Sequence, residues 1–489
     1  MDLFSEQQLF IGGGFVVVAV LLMLLVPRKD PLSNIPGPWY AKWTDDVALY
    51  YSLTARKPSW VESLHQKYGP VVRVGAREVY ISDPVAAQQI HRIKNEFAKS
   101  DWYTKLVPGT TNVFNTTNIM THRRLRKLLS SPLAEGNLKR MLPLIDSKVR
   151  LTIQRIQEES ETRGVADVFK WWLFMATDVI GELSFGESFN MLESRQINQY
   201  VVDLRNVGKF GAIRGGFPNI VWLAMKLSLP LPIFAEVRRA RQRFIDYSLQ
   251  SIQRHRNLIE NEGEDAKPSL LSKLYKAEGD ESLSFNELRD SAQAYIVAGS
   301  DTTSNTLTYL TWEVCRHPDV KEKLARELKK LDDDFTYEDV KNLPYLSHVI
   351  EEVLRLHPAV PAGLPRVVPP EGAELAGHHI PGGYVVSTQT YSLHGNEEVF
   401  PEAHEFIPSR WENPTKLMKD SVMPFGGGSR ICLGLHLARI ELRLAVARFF
   451  KAFPNAKVST KEGMSGKDMD KKLYFLIAPA GGRCLIELS

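Results

Sequence analysis

The pattern of hydrophobic and polar positions divides the chain into helical stretches, a few short strands and one continuous apolar run near the N-terminus. Helical spacing of apolar residues dominates as far as residue 356 and returns at 433–450, whereas proline, glycine and β-branched residues dominate between them. Predicted helices cover 58–69, 121–130, 138–158, 167–185, 196–210, 234–260, 286–316, 319–331, 338–356 and 433–450. Predicted strands form a hairpin within 71–83 and recur at 374–376, at 384–390 and within 472–489.

The apolar run at 9–26 contains no charged residue, and as a helix it would span roughly 27 Å, enough to cross a bilayer core. Acidic residues precede it, and Arg28 and Lys29 follow it, so the positive-inside rule places the rest of the chain in the cytosol. The alternative is a helix buried in the core. The predicted organisation is an N-terminal tail (1–8), a transmembrane anchor (9–26), a proline-rich hinge (27–39) and one large helix-rich domain (40–489).

Composition excludes several classes of protein. The chain has 489 residues, of which 44% are hydrophobic and 24% charged, which is typical of a folded globular protein. The net charge of +4 is too small to indicate a nucleic-acid-binding protein. The three cysteines (Cys315, Cys432 and Cys484) form no CxxC pair and no disulfide framework, and the first and last are interpreted as structural.

Cys432 lies in a context that suits metal ligation. Residues 424–434 read PFGGGSRICLG, so this cysteine follows a glycine-rich turn and precedes the helix predicted at 433–450. A helix N-terminus stabilises a thiolate, Arg430 adds a cation, and Gly434 lets the backbone approach a flat partner. A haem iron with axial sulfur ligation requires such a thiolate.

This segment resembles the haem-binding signature of the cytochrome P450 superfamily, F-x-x-G-x-R-x-C-x-G, and fills it with Phe425, Gly428, Arg430, Cys432 and Gly434. The resemblance implies a mainly α fold with small β-sheets, in which a single large haem-binding domain follows the transmembrane helix. It also implies haem b as the cofactor and the cysteine as ligand of its iron. The proline hinge and the residues that fill the motifs are most similar to those of microsomal enzymes of filamentous fungi that tailor secondary metabolites.

A second motif lies within the helix predicted at 286–316. It reads AGSDTT from Ala298 onward, and its glycine and two consecutive threonines are poor helix formers that predict a local kink or π-bulge. Gly299 would leave room for a diatomic ligand, while Asp301 and Thr302 supply a carboxylate and a hydroxyl that can pass protons. The segment resembles the oxygen-activation motif of the same family, which implies that Ala298 and Gly299 lie beside the cofactor and that Asp301 and Thr302 are catalytic. The alternative is a plain buried helix.

A third motif is structural. Glu352 and Arg355 lie on one face of the predicted helix 338–356, where they can form a charge-assisted pair. The family completes this E-x-x-R motif with an arginine from a later segment, which in this chain is Arg410 of FIPSRW. The resemblance implies that this triad locks the core behind the cysteine loop.

Three further basic residues are candidates for binding the haem propionates. The family often has a W-x-x-x-R motif in the helix predicted at 121–130, and this chain has His122 in place of the tryptophan and Arg126 in place of the arginine. Histidine can still donate a hydrogen bond. Arg366 is a second propionate candidate, and for each of the three the alternative is a solvated surface charge.

The function implied is that of a haem-thiolate monooxygenase that hydroxylates, epoxidises or desaturates a lipophilic small molecule. Its electrons would come from NADPH through the membrane-bound NADPH–cytochrome P450 reductase, with cytochrome b5 as a possible second donor. The anchor would place it in the endoplasmic reticulum membrane.

One alternative to this function is an isomerase or dehydratase of the same fold that needs no O₂. The other is a non-enzymatic membrane-anchored haem protein. The candidate pocket residues are apolar and aromatic: Tyr103, Phe114, Val360 and Leu364.

Overall fold

The computed structural model describes residues 30–93, 97–106, 109–203 and 283–488, together with scattered residues between 223 and 270. The predicted anchor at 9–26 and most of the predicted helices at 196–210 and 234–260 lie outside the described residues. Within the described ranges, no helix is both long enough and apolar enough to cross a membrane.

Helices dominate this part of the chain, as predicted. In chain order they are α1 (Asp46–Leu53), α2 (Lys57–Tyr68), α3 (Pro84–His91), α4 (Trp102–Leu106), α5 (Ile119–Ser130), α6 (Glu135–Leu138), α7 (Leu142–Arg163), α8 (Val168–Phe185), α9 (Met191–Ser194), α10 (Phe285–Arg316), α11 (Pro318–Leu328), α12 (Tyr337–Val340), α13 (Pro344–Leu356), α14 (Thr390–His394), α15 (Lys416–Ser421) and α16 (Leu435–Ala452).

Local chemistry explains where several helices begin. Ser284 and Glu287 form a capping box at the start of α10, in which each side chain binds the other's backbone N–H. The single helix predicted at 338–356 is wrong, because the structure has α12 and α13 there instead. Pro344 lacks an N–H and begins a helix readily, so it separates the two segments.

The strands are short and form small sheets. They are β1 (Val71–Arg73), β2 (Glu78–Ile81), β3 (Ala98–Lys99), β4 (Ala166–Asp167), β5 (Arg366–Val367), β6 (Ala373–Leu375), β7 (His378–Ile380), β8 (Val385–Ser387), β9 (Lys457–Val458), β10 (Lys471–Leu473), β11 (Ile477–Pro479) and β12 (Leu485–Glu487). The largest sheet has the order β1-β2-β8-β5-β3 and is antiparallel except between β2 and β8. The predicted hairpin at 71–83 is the β1–β2 pair.

The main core is built around α8, which is buried along most of its length. It packs against α10, and its Trp172 donates from the indole Nε1 to Thr311 Oγ1 at 3.1 Å. The same core takes in the apolar face of α16 and the side chains of Cys315 and Cys484. The helix that follows Cys432 is therefore anchored in the centre of the molecule.

Candidate functional site: a cysteine loop and a buried cluster of cations

The cysteine loop, residues 423–434, is shaped by glycines in left-handed backbone conformations. Gly426 has φ +72° and Gly428 has φ +59°, which glycine adopts at little cost. A β-carbon on Gly428 would lie 1.6 Å from the carbonyl oxygen of His91, so only glycine fits at this point. The backbone N–H of Cys432 donates to the carbonyl of Phe425 at 2.8 Å and closes the turn, as the glycine-rich sequence predicts.

Two opposing influences act on the thiol of Cys432. The protein atoms that surround the thiol partly desolvate it, which raises its pKa above the ordinary value. The backbone N–H of Gly434 and the positive charge of Arg126 lower this pKa. The protein alone therefore does not impose a thiolate, whereas a coordinating metal ion deprotonates a thiol outright.

The cation that lowers the pKa of the Cys432 thiol is Arg126 of α5. The pairing of Arg430 with a carboxylate stays a prediction. Nη1 of Arg126 donates to the carbonyl of Ile431 at 2.7 Å, next to the cysteine in the chain. Arg126 therefore ties α5 to the cysteine loop, in addition to its predicted role toward a propionate.

Two like charges face each other across the edge of the largest sheet. In the antiparallel pair β3–β5, Lys99 lies directly opposite Arg366, and their residues are only 7% and 4% exposed. Like charges in this position destabilise a sheet. The Lys99 ammonium donates to the carbonyls of Val113 (3.1 Å) and Phe114, which offsets part of this cost.

Further basic side chains join this pair to form the cation cluster: Lys99, His122, Arg126, Arg366 and Arg430. Burial lowers the pKa of Lys99 well below its ordinary value, and the charges of the three arginines lower it further. The same causes lower the pKa of His122 to about 3, so this imidazole is neutral. Its Nδ1 is buried and has no hydrogen-bond partner in the structure.

The cation cluster fits a group that carries more than one negative charge. An anion would offset the mutual repulsion of these side chains and provide a partner for His122 Nδ1. The two propionates of haem b would meet this requirement, and the sulfur of Cys432 on the adjoining loop would be available as a ligand of the haem iron. Lys99 was missed at the sequence level, because only the register of β3 against β5 brings it to Arg366.

The predicted oxygen-activation motif lies on α10, but the helix there is continuous from Phe285 to Arg316. The expected kink or π-bulge is therefore not present. Thr302 Oγ1 donates to the Ala298 carbonyl at 2.6 Å, and Asn305 Nδ2 donates to the Asp301 carbonyl at 2.7 Å. The side chains of Asp301 and Thr302 are half-buried, and Ala298 is exposed one turn earlier.

Gly299 has a different role from the predicted one. A β-carbon at this position would lie 2.7 Å from Cγ1 of Ile180 on α8. The missing side chain therefore lets α10 pack closely against α8, and the expectation that it makes room for a small ligand is not supported. The sequence could not show this, because the contact depends on the helix–helix packing.

The predicted triad is assembled around one buried carboxylate. Glu352 accepts two hydrogen bonds from Arg355 (2.7 and 2.9 Å) and one from Arg410 Nε (2.9 Å). It also accepts from the Ile407 backbone N–H at 3.0 Å and from the indole Nε1 of Trp411 at 2.9 Å. All of its acceptor positions are thus used, as a buried charge requires. Trp411 was missed as a member of this group, although it follows Arg410 directly.

His394 connects the triad to the cysteine loop. Arg355 Nη1 donates to the His394 carbonyl at 2.9 Å, and His394 Nδ1 lies 3.0 Å from the Arg355 carbonyl. The backbone N–H of Met423 donates to His394 Nε2 at 2.9 Å, so Nδ1 carries the proton. Burial lowers the pKa of this histidine to about 3, which keeps it neutral. The sequence contained no signal for this residue.

Aromatic rings cluster where the substrate pocket was predicted. The rings of Tyr103 and Phe114 lie 5.4 Å apart, and Phe114 lies 5.7 Å from Phe475, in the turn between β10 and β11. Leu364 lies close to the cysteine loop, because a β-carbon on Gly426 would be 4.0 Å from its Cδ1. Phe475 was not among the predicted pocket residues.

A loop cysteine beside a buried cation cluster, on a helical scaffold locked by a buried carboxylate, defines the class of haem-thiolate proteins. Comparison with known families identifies the particular one. The family model described as "Cytochrome P450" matches residues 48–485, and the chain belongs to that family.

Three similar proteins come from Aspergillus. The chain is 45% identical to the cytochrome P450 monooxygenase tazI of Aspergillus terreus, over 96% of this chain and 98% of that protein. It is 41% identical to the cytochrome P450 monooxygenase orf2 of Aspergillus niger, over 96% of each chain. It is 34% identical to the cytochrome P450 monooxygenase aflV of Aspergillus parasiticus, over 98% of this chain and 96% of that protein. The chain is accordingly a cytochrome P450 monooxygenase, an oxidoreductase, and haem iron with an axial cysteine thiolate is the cofactor of its family.

The link through His394 generates a testable prediction. His394→Ala would leave the Arg355 carbonyl and the Met423 N–H without their partner, at a cost of about 1–3 kcal/mol. We expect a lower thermal midpoint of the haem-loaded protein. We also expect that less of the reduced, CO-bound protein shows the strongly red-shifted Soret band of a thiolate-ligated haem. His404→Ala is the matched control, because His404 is exposed in the following segment. An unchanged midpoint and spectrum in His394→Ala would contradict this role.

Proposed function

We propose that this chain activates O₂ and oxidises a lipophilic small molecule in fungal secondary-metabolite biosynthesis. The observation that carries the proposal is the acid–alcohol pair Asp301 and Thr302, half-buried on the helix that packs against the one following Cys432. The names of its relatives support oxygen insertion, since each is called a monooxygenase. The proposed oxidation is a hydroxylation, an epoxidation or a desaturation.

The site residues have distinct proposed roles. Cys432 would ligate the haem iron, and Phe425, Gly428 and Gly434 shape the loop that presents it. His122, Arg126, Arg366, Arg430 and Lys99 would hold the propionates. Bound haem supplies the redox chemistry that O₂ activation requires.

Asp301 and Thr302 would control proton delivery. The hydroxyl of Thr302 donates to the Ala298 carbonyl, so its oxygen can still accept a hydrogen bond from a second donor. Asp301 supplies a carboxylate one residue earlier on the same helix, where it can exchange protons with solvent. Aromatic side chains such as Tyr103 and Phe114 would form apolar walls that keep excess water from the reacting atoms.

The acid–alcohol pair also favours this reaction over the alternatives. An isomerase or dehydratase of this fold needs no external electrons and no proton delivery to oxygen, and a haem carrier needs neither. We therefore infer that electrons come from NADPH through NADPH–cytochrome P450 reductase, with cytochrome b5 as a second donor. Turnover without NADPH and reductase would instead indicate an isomerase or dehydratase.

The location of the protein is a separate proposal. The uncharged run at 9–26, with basic residues after it, supports a single-pass anchor in the endoplasmic reticulum membrane with the catalytic domain in the cytosol. A lipophilic substrate would partition into the same membrane.

Deletion of residues 1–29 tests the anchor. We expect the full-length chain to stay with the membrane pellet after carbonate extraction and the shortened chain to move to the supernatant, because the apolar run is removed. Replacing 9–26 with an unrelated transmembrane sequence should restore membrane association. Retention of the shortened chain in the pellet would contradict a single anchor.

Replacement of Thr302 tests the proton-delivery role. In Thr302→Ala the hydroxyl is lost, so a larger share of the electrons from NADPH should appear as hydrogen peroxide and product per NADPH should fall about tenfold. Thr302→Ser, which restores the hydroxyl, should recover most of the coupling. The measurement is product and peroxide formed per NADPH in membranes that contain reductase. Product formation that remains tightly matched to NADPH use in the alanine variant would contradict the role.

A further inference from the structure

The threonines of α10, a helix that the structure describes in full, use their hydroxyls in two different ways. Thr302, Thr306, Thr308 and Thr311 each donate to the carbonyl four residues earlier in the same helix. Thr303 instead donates to another helix, reaching Glu441 Oε2 of α16 at 3.0 Å. A hydroxyl that could bind within its own helix thus binds to α16.

Glu441 is unusual for its position. It lies in the second turn of α16 and is 2% exposed, in the core between α16 and α10. Burial raises its pKa to about 8, so the side chain is mostly the neutral carboxylic acid at pH 7, and the bond from Thr303 lowers the pKa only in part. Burying a polar group is more costly than burying an apolar one of similar size unless hydrogen bonds compensate. Packing alone therefore does not explain a glutamic acid here.

The position of this bond connects the two halves of the site. Thr303 follows Thr302 directly, and α16 begins three residues after Cys432. Apolar side chains that interdigitate already oppose sliding of two helices, and a buried hydrogen bond adds a directional constraint on their register.

We propose that Glu441 is a positioning residue, which through Thr303 holds Asp301 and Thr302 in a fixed relation to the helix that follows Cys432. This inference rests on the proposed function, because it concerns the same acid–alcohol pair. Glu441 is not placed in contact with substrate or haem. Its effect is to keep α10 from turning or sliding where protons are delivered.

Four substitutions in the full-length, haem-loaded protein separate this role from general stability. Thr303→Val and Glu441→Ala each remove the bond between the helices. Glu441→Gln is the conservative variant, because an amide resembles the neutral acid in shape and keeps both an acceptor and a donor. Thr308→Val is the matched control, since Thr308 is equally buried on α10 but its hydroxyl binds only the Ser304 carbonyl.

Two readouts are needed. The first is hydrogen exchange of the α10 backbone around 299–306, measured by mass spectrometry without turnover. The second is hydrogen peroxide formed per NADPH with reductase. We expect both to rise about fivefold in Thr303→Val and Glu441→Ala, the factor that a lost neutral hydrogen bond represents. Both should stay near the wild-type values in Glu441→Gln and Thr308→Val, and the reduced CO spectrum should be unchanged in all four.

The outcomes distinguish this inference from the function on which it rests. If Thr302→Ala uncouples the reaction but Thr303→Val and Glu441→Ala do not, the positioning role is overturned and the proposed function stands. An equal effect of Thr308→Val would also overturn the positioning role. The loss of any buried hydroxyl on α10 would then be enough to raise hydrogen exchange and peroxide formation. If Thr302→Ala itself leaves coupling intact, proton delivery by this pair fails, and the positioning role fails with it. Should Glu441→Ala not fold, Thr303→Val alone decides.

Discussion

The buried carboxylate of Glu352 is the constraint on which the rest of the site depends. A charge removed from water is tolerated only when its acceptor positions are filled, and here arginine, tryptophan and backbone donors fill them. Arg355 lies on α13 itself, and the other donors all come from the distant segment 407–411, so satisfying the charge fixes that segment to α13. Arg355 extends the network to His394, and His394 binds the backbone of Met423. The cysteine loop is thereby tied through hydrogen bonds to the buried ion pair, which restricts its movement.

The second organising feature is the concentration of positive charge beside that loop. Lys99 and Arg366 face each other across β3 and β5, and Arg126 and Arg430 act on the same side chains. Holding like charges close together out of water costs free energy, which a bound anion would offset. The arrangement is understandable as a site for a carboxylate-bearing cofactor, and it complements the sulfur of Cys432. Scaffold and charge together distinguish Cys432, the proposed ligand of the haem iron, from Cys315 and Cys484, which are core residues.

Features that depend on local sequence could be predicted. The glycine-rich turn around Cys432, the Glu352–Arg355 pair and the long helix carrying Asp301 and Thr302 all follow from residue spacing within one segment. Features that depend on tertiary packing could not be predicted. Lys99 joins the cation cluster through strand register, and His394 at the end of α14 binds Arg355 of α13. Gly299 lets α10 pack against Ile180 of α8. Local breaks were also misjudged, because α10 stays continuous through AGSDTT while Pro344 divides the helix predicted at 338–356.

The central claim is that Cys432 ligates a haem iron as a thiolate, and the absorption spectrum of the dithionite-reduced, CO-bound protein tests it most directly. Wild type should show a strongly red-shifted Soret band, because the thiolate of Cys432 would donate electron density to the iron. Cys315→Ala, which changes a buried core cysteine, should keep this band, and Cys432→Ala should lose it. A globin-like band in the wild type, or a red-shifted band that survives in Cys432→Ala, would contradict the assignment and the oxygen chemistry built on it.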